Sequence, residues 1–248
     1  DRLPAAGAPR CAAGPRSTGK AVLEWVPPVG SPRAGHDSCC AVRAAFVRHR
    51  AMPSAPSNDP VPVIDVVSDV VCPWCYVGKR HLESALATLA EAGEPVPAVR
   101  WHPYELNPGL PAEGVDRREY LERKFGGPAR AAQVYERVHR AGTQAGIAFD
   151  FERIALQPNT RDAHRLVAWV QTRGDAGPLV ERLFRAYFVE GRFVGSHEVL
   201  ADLAAEAGED RDAVLEFLAS GVGLDEVAQA EARAASLGIT GVPFFIVD

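Results

Sequence analysis

Ile64-Asp65-Val66-Val67-Ser68-Asp69-Val70-Val71-Cys72-Pro73-Trp74-Cys75-Tyr76-Val77-Gly78 is the stretch on which the reading of this chain turns. Up to Val71 it is crowded with β-branched residues, and the whole run Val61 to Val71 predicts a buried strand. Pro73 follows at a position suited to a first helical turn, where a missing N–H costs nothing. Leu82, Leu86 and Leu89 then recur at helical spacing, with Cys75 on the same face, and Gly93 ends the helix. Two cysteines therefore stand where a strand hands over to a helix.

Outward from this stretch the pattern stays regular. Pro95 to Tyr104, with Val96, Val99 and Trp101, predicts a second strand, so the opening is a βαβ unit with parallel strands. Asn107-Pro108-Gly109 marks a turn. Helices are predicted around Tyr120 to Phe125, over Ala129 to Ala145, and after Pro158-Asn159-Thr160, where Asn159 or Thr160 suits an N-cap. Further apolar stripes run through Leu179 to Phe188, Val199 to Leu203, Val214 to Leu218 and Leu224 to Ala228. Gly238 closes this block, and Val242-Pro243-Phe244-Phe245-Ile246-Val247 reads as a strand led by proline. The first and last strands need each other to complete one sheet. A helical insertion of about residues 105–238 inside a small α/β domain explains this order better than two consecutive domains.

Residues 1–58 differ in kind. They are rich in Ala, Pro, Gly and Arg and carry no sustained helical or strand period, which is too little apolar patterning to offset the entropy of ordering. The segment is expected to be a disordered tail. With Met52 the single methionine, residues 1–51 can also be read as upstream sequence translated in error, and a transit peptide is the competing reading. No apolar stretch of a signal peptide follows a basic start. The working domain is therefore expected over residues 59–248.

Composition narrows the function classes. Hydrophobic residues make up 47% and charged residues 24%, ordinary for a globular chain, and the net charge of −5 argues against nucleic acid as a partner. No apolar run approaches the roughly 20 residues needed to span a bilayer, so a membrane partner is not expected. The five cysteines, Cys11, Cys39, Cys40, Cys72 and Cys75, do not form the even framework of a small secreted protein. A structural zinc site takes four ligands, and the other close pair, Cys39-Cys40, is adjacent in sequence, so no metal is expected. A pair of merely buried thiols is the plainest alternative.

The redox reading uses the context. Cys72 at a helix N-terminus meets unpaired N–H groups and the positive end of the helix dipole, which favour an anion, and the thiolate is the attacking species. Cys75, one turn on, faces the core and can close a disulfide with Cys72. Pro73 needs no N–H partner, and Trp74 offers apolar surface to a substrate or lids the ring. A proline opening a buried strand is consistent with a cis peptide in a tight turn, and such a turn at Val242-Pro243 would expose Val242 backbone to a substrate strand.

These elements together resemble the DsbA-like thioredoxin superfamily, and within it the FrnE-like branch. The matching stretches are Ile64 to Gly78, Glu105-Leu106-Asn107-Pro108, Pro158-Asn159-Thr160 with Ala163-His164, and Gly238 to Phe245. The resemblance implies an α/β thioredoxin fold with a large inserted helical domain. It implies dithiol–disulfide exchange with protein thiols and disulfides, with Cys72 as nucleophile, Cys75 as resolving thiol and Pro243 as a cis-proline. It places Asn159 and His164 near the cleft as substrate-binding residues beside Pro73, Trp74, Val242 and Pro243; a helix cap and a surface histidine are the plainer roles for those two. Related 2-hydroxychromene-2-carboxylate isomerases and kappa-class glutathione transferases share the fold but carry Ser at the place of Cys72. A glutathione-dependent isomerase or transferase is therefore the alternative, with glutathione as co-substrate; a non-catalytic chaperone or binding module is a third reading. No bound cofactor is implied. The lack of a signal peptide favours the cytoplasm. The family pattern continues past the last strand with a turn, a strand and a helix, so the sequence is expected to stop short of the full domain.

Overall fold

A computed structural model describes residues 21–24 and 62–247. The sequence readings that fall elsewhere in residues 1–61, including those on Cys11, Cys39, Cys40 and Met52, lie outside the described residues. The elements are β1 (Ala21–Glu24), β2 (Val63–Ser68), α1 (Pro73–Ala92), β3 (Ala98–Pro103), β4 (Val115–Asp116), α2 (Arg117–Phe125), α3 (Pro128–Gln144), β5 (Leu156–Gln157), α4 (Arg161–Gln171), α5 (Gly177–Phe188), α6 (His197–Glu206), α7 (Arg211–Ala219), α8 (Leu224–Ser236) and β6 (Phe244–Val247). A single 3-10 turn, Phe151–Arg153, precedes β5.

One sheet has the order β1-β6-β2-β3. β2 and β3 run parallel, with Val66 opposite Trp101, and α1 makes the crossover. β6 returns antiparallel to β2, with Val66 opposite Phe245. This is the α/β thioredoxin arrangement expected from the sequence, with α2 to α8 inserted between β3 and β6. β1 is the difference. Four residues of the segment expected to be a tail pair antiparallel with β6, Val22 opposite Ile246. Four residues are too short a run for a periodic signal to reveal.

The boundaries follow from local chemistry. Pro73 opens α1 and Gly93, at φ 73°, closes it in the left-handed region that favours glycine. Asp116 and Asp210 cap α2 and α7, accepting from the N–H groups of Glu119 and Ala213. Thr160 is the N-cap of α4 but makes no side-chain cap bond. Asn159 instead accepts from the Arg161 N–H at 2.9 Å. The leucine stripe of α1 is only half buried beyond Arg80. A helix of 20 residues is about 30 Å long, whereas a six-residue strand rises about 20 Å, so the end of α1 overhangs the sheet.

The core lies between the sheet and the insertion. Leu166, Leu183, Phe184 and Phe188 of α4 and α5 are fully buried, and both Cys72 and Cys75 join the same cluster. The outer edge of β3 is covered by a side chain. Gln171 of α4 accepts from the Trp101 N–H at 2.7 Å and donates to the Trp101 carbonyl at 3.2 Å, as a neighbouring strand would.

Candidate active site

The loop from β2 to α1 is tied down before the cysteines begin. Asp69 is fully buried, and its carboxylate accepts from the N–H of Val71 at 3.3 Å and of Leu106 at 2.8 Å. Its carbonyl accepts from the Cys72 N–H at 3.0 Å. Cys72 is thereby fixed as the N-cap of α1, with its own carbonyl taking the first helical bond from Cys75.

Both thiols are free, and they differ in surroundings. Cys72 lies on the wall of a cleft of about 260 Å³, together with Pro73, Trp74 and Val242. Its thiol donates to the Val242 carbonyl at 3.7 Å. Cys75 is 2% exposed and absent from the cleft wall. Burial, and then the hydrogen bond and charge of Cys72, push the Cys75 thiol well above its ordinary value; the Ser68 hydroxyl and the Asp69 N–H pull the other way without prevailing. Cys72 is itself only 5% exposed, so the asymmetry is that of a buried sulfur that reaches the cleft wall and a second that does not and holds its proton more tightly.

The Val242–Pro243 peptide is cis, at the place the sequence suggested. Gly78 permits the approach of this loop to α1. A Cβ there would come within 3.1 Å of Pro243 Cγ and 3.2 Å of Phe245 Cζ. Trp74 is half-buried and lies on the cleft wall.

The opposite wall comes from the insertion, and sequence reasoning assigned no role to its residues. Tyr120 and Lys124 of α2, Tyr135 of α3, Gln157 of β5 and Asn107 line it. Asn107 belongs to the Glu105-Leu106-Asn107-Pro108 stretch, which was the available signal; its side chain accepts from the Tyr120 hydroxyl at 2.6 Å. Behind this wall sits Arg117, 3% exposed, donating to Gln157 Oε1 at 3.2 Å and to the hydroxyls of Tyr187 at 2.7 Å and Tyr135 at 2.9 Å. Arg117 is thus held among neutral hydrogen-bond partners.

Asn159 and His164 are not on the cleft wall. Asn159 donates to the carbonyls of Pro108 at 3.3 Å and Leu110 at 3.0 Å, and so holds the loop that carries Asn107. His164 is 5% exposed, not a surface residue, and its Nε2 lies 3.5 Å from Asp69 Oδ1. A larger groove of about 740 Å³ runs between α2, α3 and the 151–153 turn, and neither cysteine lines it. Among the described residues, no helix is long and apolar enough to cross a membrane.

A parallel βαβ unit with a CxxC at the helix start, a cis-proline loop against it and a helical insertion over both defines a dithiol protein of the thioredoxin class. The chain belongs to the family of the DSBA-like thioredoxin domain, which it matches over residues 63–248. Members of this family are disulfide oxidoreductases or isomerases. The fold is similar to that of the probable DsbA oxidoreductase SCO1869 from Streptomyces coelicolor, with a TM-score of 0.69 and 32% identity over 75% of this chain and 80% of that one. It is also similar to the cytosolic disulfide reductase DsbM from Pseudomonas aeruginosa, solved with GSH, with a TM-score of 0.52 and 20% identity over 74% and 84%. In sequence it is 28% identical over 185 residues to the uncharacterized protein YwbO of Bacillus subtilis, covering 74% of this chain and 86% of that protein.

Proposed function

We propose that this chain is a thiol–disulfide oxidoreductase of the FrnE-like branch that exchanges disulfides through Cys72 and Cys75. The observation that carries the reading is that, of two buried neighbouring thiols, Cys72 and not Cys75 lines the cleft beside the Val242–Pro243 loop. The Cys72 thiolate attacks one sulfur of a substrate disulfide, that bond breaks, and one substrate thiolate leaves. The Cys75 sulfur then attacks Cys72 Sγ, the mixed disulfide breaks, and the second substrate thiolate leaves. Two electrons pass from the dithiol to the substrate, and the reverse sequence oxidises a substrate dithiol. Pro73, Trp74 and the backbone of Val242 receive the substrate chain beside Cys72. Protein thiols and disulfides are the substrate class, no bound cofactor takes part, and the cytoplasm is the compartment, where thiols are held reduced.

Insulin reduction by the wild type and by Cys72→Ser tests this. Activity lost in the variant supports exchange at Cys72; equal activity, or none in either, refutes it. The reduction potential of the couple then sets the direction, with about −120 mV marking an oxidant and about −270 mV a reductant.

A second reading keeps Cys72 but makes glutathione the co-substrate of a small-molecule isomerase or transferase. The cleft favours it in one respect: the wall opposite the thiol carries Lys124, Asn107 and Gln157, polar groups suited to a short peptide. Glutathione-dependent turnover of an aromatic substrate without insulin reduction would select this reading.

A further inference from the structure

The resolving step needs the Cys75 proton removed, and Cys75 has no face on the cleft. The groups that act on its thiol are Cys72, the Ser68 hydroxyl and the Asp69 backbone. Ser68 is itself buried, and it also lines a second cavity of about 20 Å³, shared with Trp101, His102 and His164. Two of the residues that line it, Trp101 and His164, carry ring nitrogens, Nε1 and Nε2, with no hydrogen-bond partner, and both residues are more than nine-tenths buried. Buried polar atoms are rarely left so, and a cavity above about 10–15 Å³ with two to four polar partners holds a water.

We propose that this cavity is a site for one water, and that Ser68, the water and His164 carry the proton of the resolving thiol during disulfide exchange. The proposal rests on the thiol-exchange reading above. The water accepts from Trp101 Nε1–H and from the Ser68 hydroxyl, and donates to His164 Nε2. In the resolving step the Cys75 proton passes to Ser68 Oγ, the Ser68 proton to the water, and a water proton to His164 Nε2. Cys75 becomes a thiolate, attacks Cys72 Sγ and displaces the substrate thiolate. His164 becomes an imidazolium 3.5 Å from the Asp69 carboxylate, which stabilises it. In this relay Ser68 is the group next to the reacting sulfur; His164 acts through the water as a positioning and proton-holding residue.

Other charged or titratable groups face His164. Asp69 comes from the β2–α1 loop, Glu105 from the segment after β3 and His102 from β3 across the cavity. From α4 itself, Arg161 donates to Glu105 Oε1 at 3.0 Å. α5 contributes the apolar Val180 to the cavity wall.

Ellman's reagent separates the two steps, because capture by Cys72 releases one thionitrobenzoate and resolution by Cys75 releases the second. Stopped-flow traces of the reduced wild type, Ser68→Ala and His164→Gln are recorded from pH 5 to 9. In both variants the second release is expected to slow about 100-fold relative to the first at pH 7. In His164→Gln the second phase should differ from wild type in its pH dependence while the first phase keeps the wild-type profile. Wild-type resolution and an unchanged profile in Ser68→Ala would overturn the relay, as would a uniform slowing of both phases with the wild-type pH dependence kept. Ser68→Ala decides alone if His164→Gln does not fold. A wild type that releases only one equivalent refutes the exchange reading itself.

Discussion

Cys72 Sγ and the carbonyl oxygen of Val242 lie 3.7 Å apart although 170 positions separate them in the chain. The contact brings the nucleophile onto the loop that would hold a substrate strand, while Cys75, in the first turn of α1, lies away from the cleft. Removing the inner thiol should therefore trap rather than abolish the encounter. Cys75→Ala incubated with a glutathionylated or disulfide-bonded protein should accumulate a covalent adduct at Cys72, detected by intact mass and released by dithiothreitol. Cys72→Ala should show no adduct at Cys75. Equal adducts in both variants would contradict the assignment of outer and inner sulfurs.

The raised Cys75 thiol makes stability depend on pH at the alkaline end. The folded protein holds the thiol proton more tightly than the unfolded chain does. The resulting stabilisation is fully present below the unfolded value of 9.0 and is lost as pH rises through the higher folded value. Tyr76, raised to about 12 by burial and then by Glu181, adds loss at still higher pH. Urea midpoints of the reduced protein should fall from pH 9 upward, and Cys75→Ala should flatten the first part of that fall. A midpoint that rises in this range would refute the burial argument.

Gly78 sets a contest between helix propensity and space. Ala there gains about 1 kcal/mol of helix propensity, while its Cβ meets Pro243 and Phe245 at 3.1 and 3.2 Å. The two nearly cancel, so Gly78→Ala should change the melting temperature little. Gly78→Val adds volume with no room and should cost about 2 kcal/mol. It also moves the Pro243 loop away from Cys72, and misplacement by about 1 Å can lower turnover as much as about 100-fold. A Val variant with both stability and insulin reduction intact would show that the approach is not required.

Lys79 is buried on α1 one turn past Cys75, and Glu181 on α5 is its partner at 2.8 Å. Glu181 also accepts from the Tyr76 hydroxyl at 2.8 Å and pairs with Arg80. Glu83 is a further partner of Lys79. Glu181→Ala should cost about 3 kcal/mol, the low end for breaking a buried pair, because Glu83 remains. Lys79→Met with Glu181→Gln should recover most of it, as read from denaturant midpoints.

At the edge of the sheet, Gln171→Ala frees the Trp101 N–H and carbonyl. A loss of about 1–2 kcal/mol is expected. Gln171→Glu keeps the acceptor but not the donor and should lose about half of that. No change in either variant would mean that water replaces the amide at this edge.

Much of the architecture was legible because it is local. The β-branched run before Cys72, the proline at the helix start, Gly93 at its end and the proline before Phe244 each act within a few residues. The stripes of α4 and α5 follow the same logic. The cleft wall was not legible in this way. Tyr120, Lys124, Tyr135 and Gln157 sit on separate pieces of the insertion, and only tertiary packing brings them opposite Cys72. β4 and β5 are two residues each, below any period. His164 left a signal that was passed over: it lies three positions before Val167, on the apolar face of α4, where a surface histidine does not belong. Asn159 reaches the cleft only through the loop it holds, which spacing cannot show.

Asp69 stitches together the turn before Cys72 and the segment after β3, and lies against α4 through His164. One carboxylate thus acts as a rivet between the catalytic turn and the inserted helices. Slippage of the insertion would strip a buried anion of its donors, so the two parts have no inexpensive way to loosen separately. Heating should consequently melt the insertion and dismantle the nucleophile's setting in one transition, rather than leave a functional sheet beneath unfolded helices.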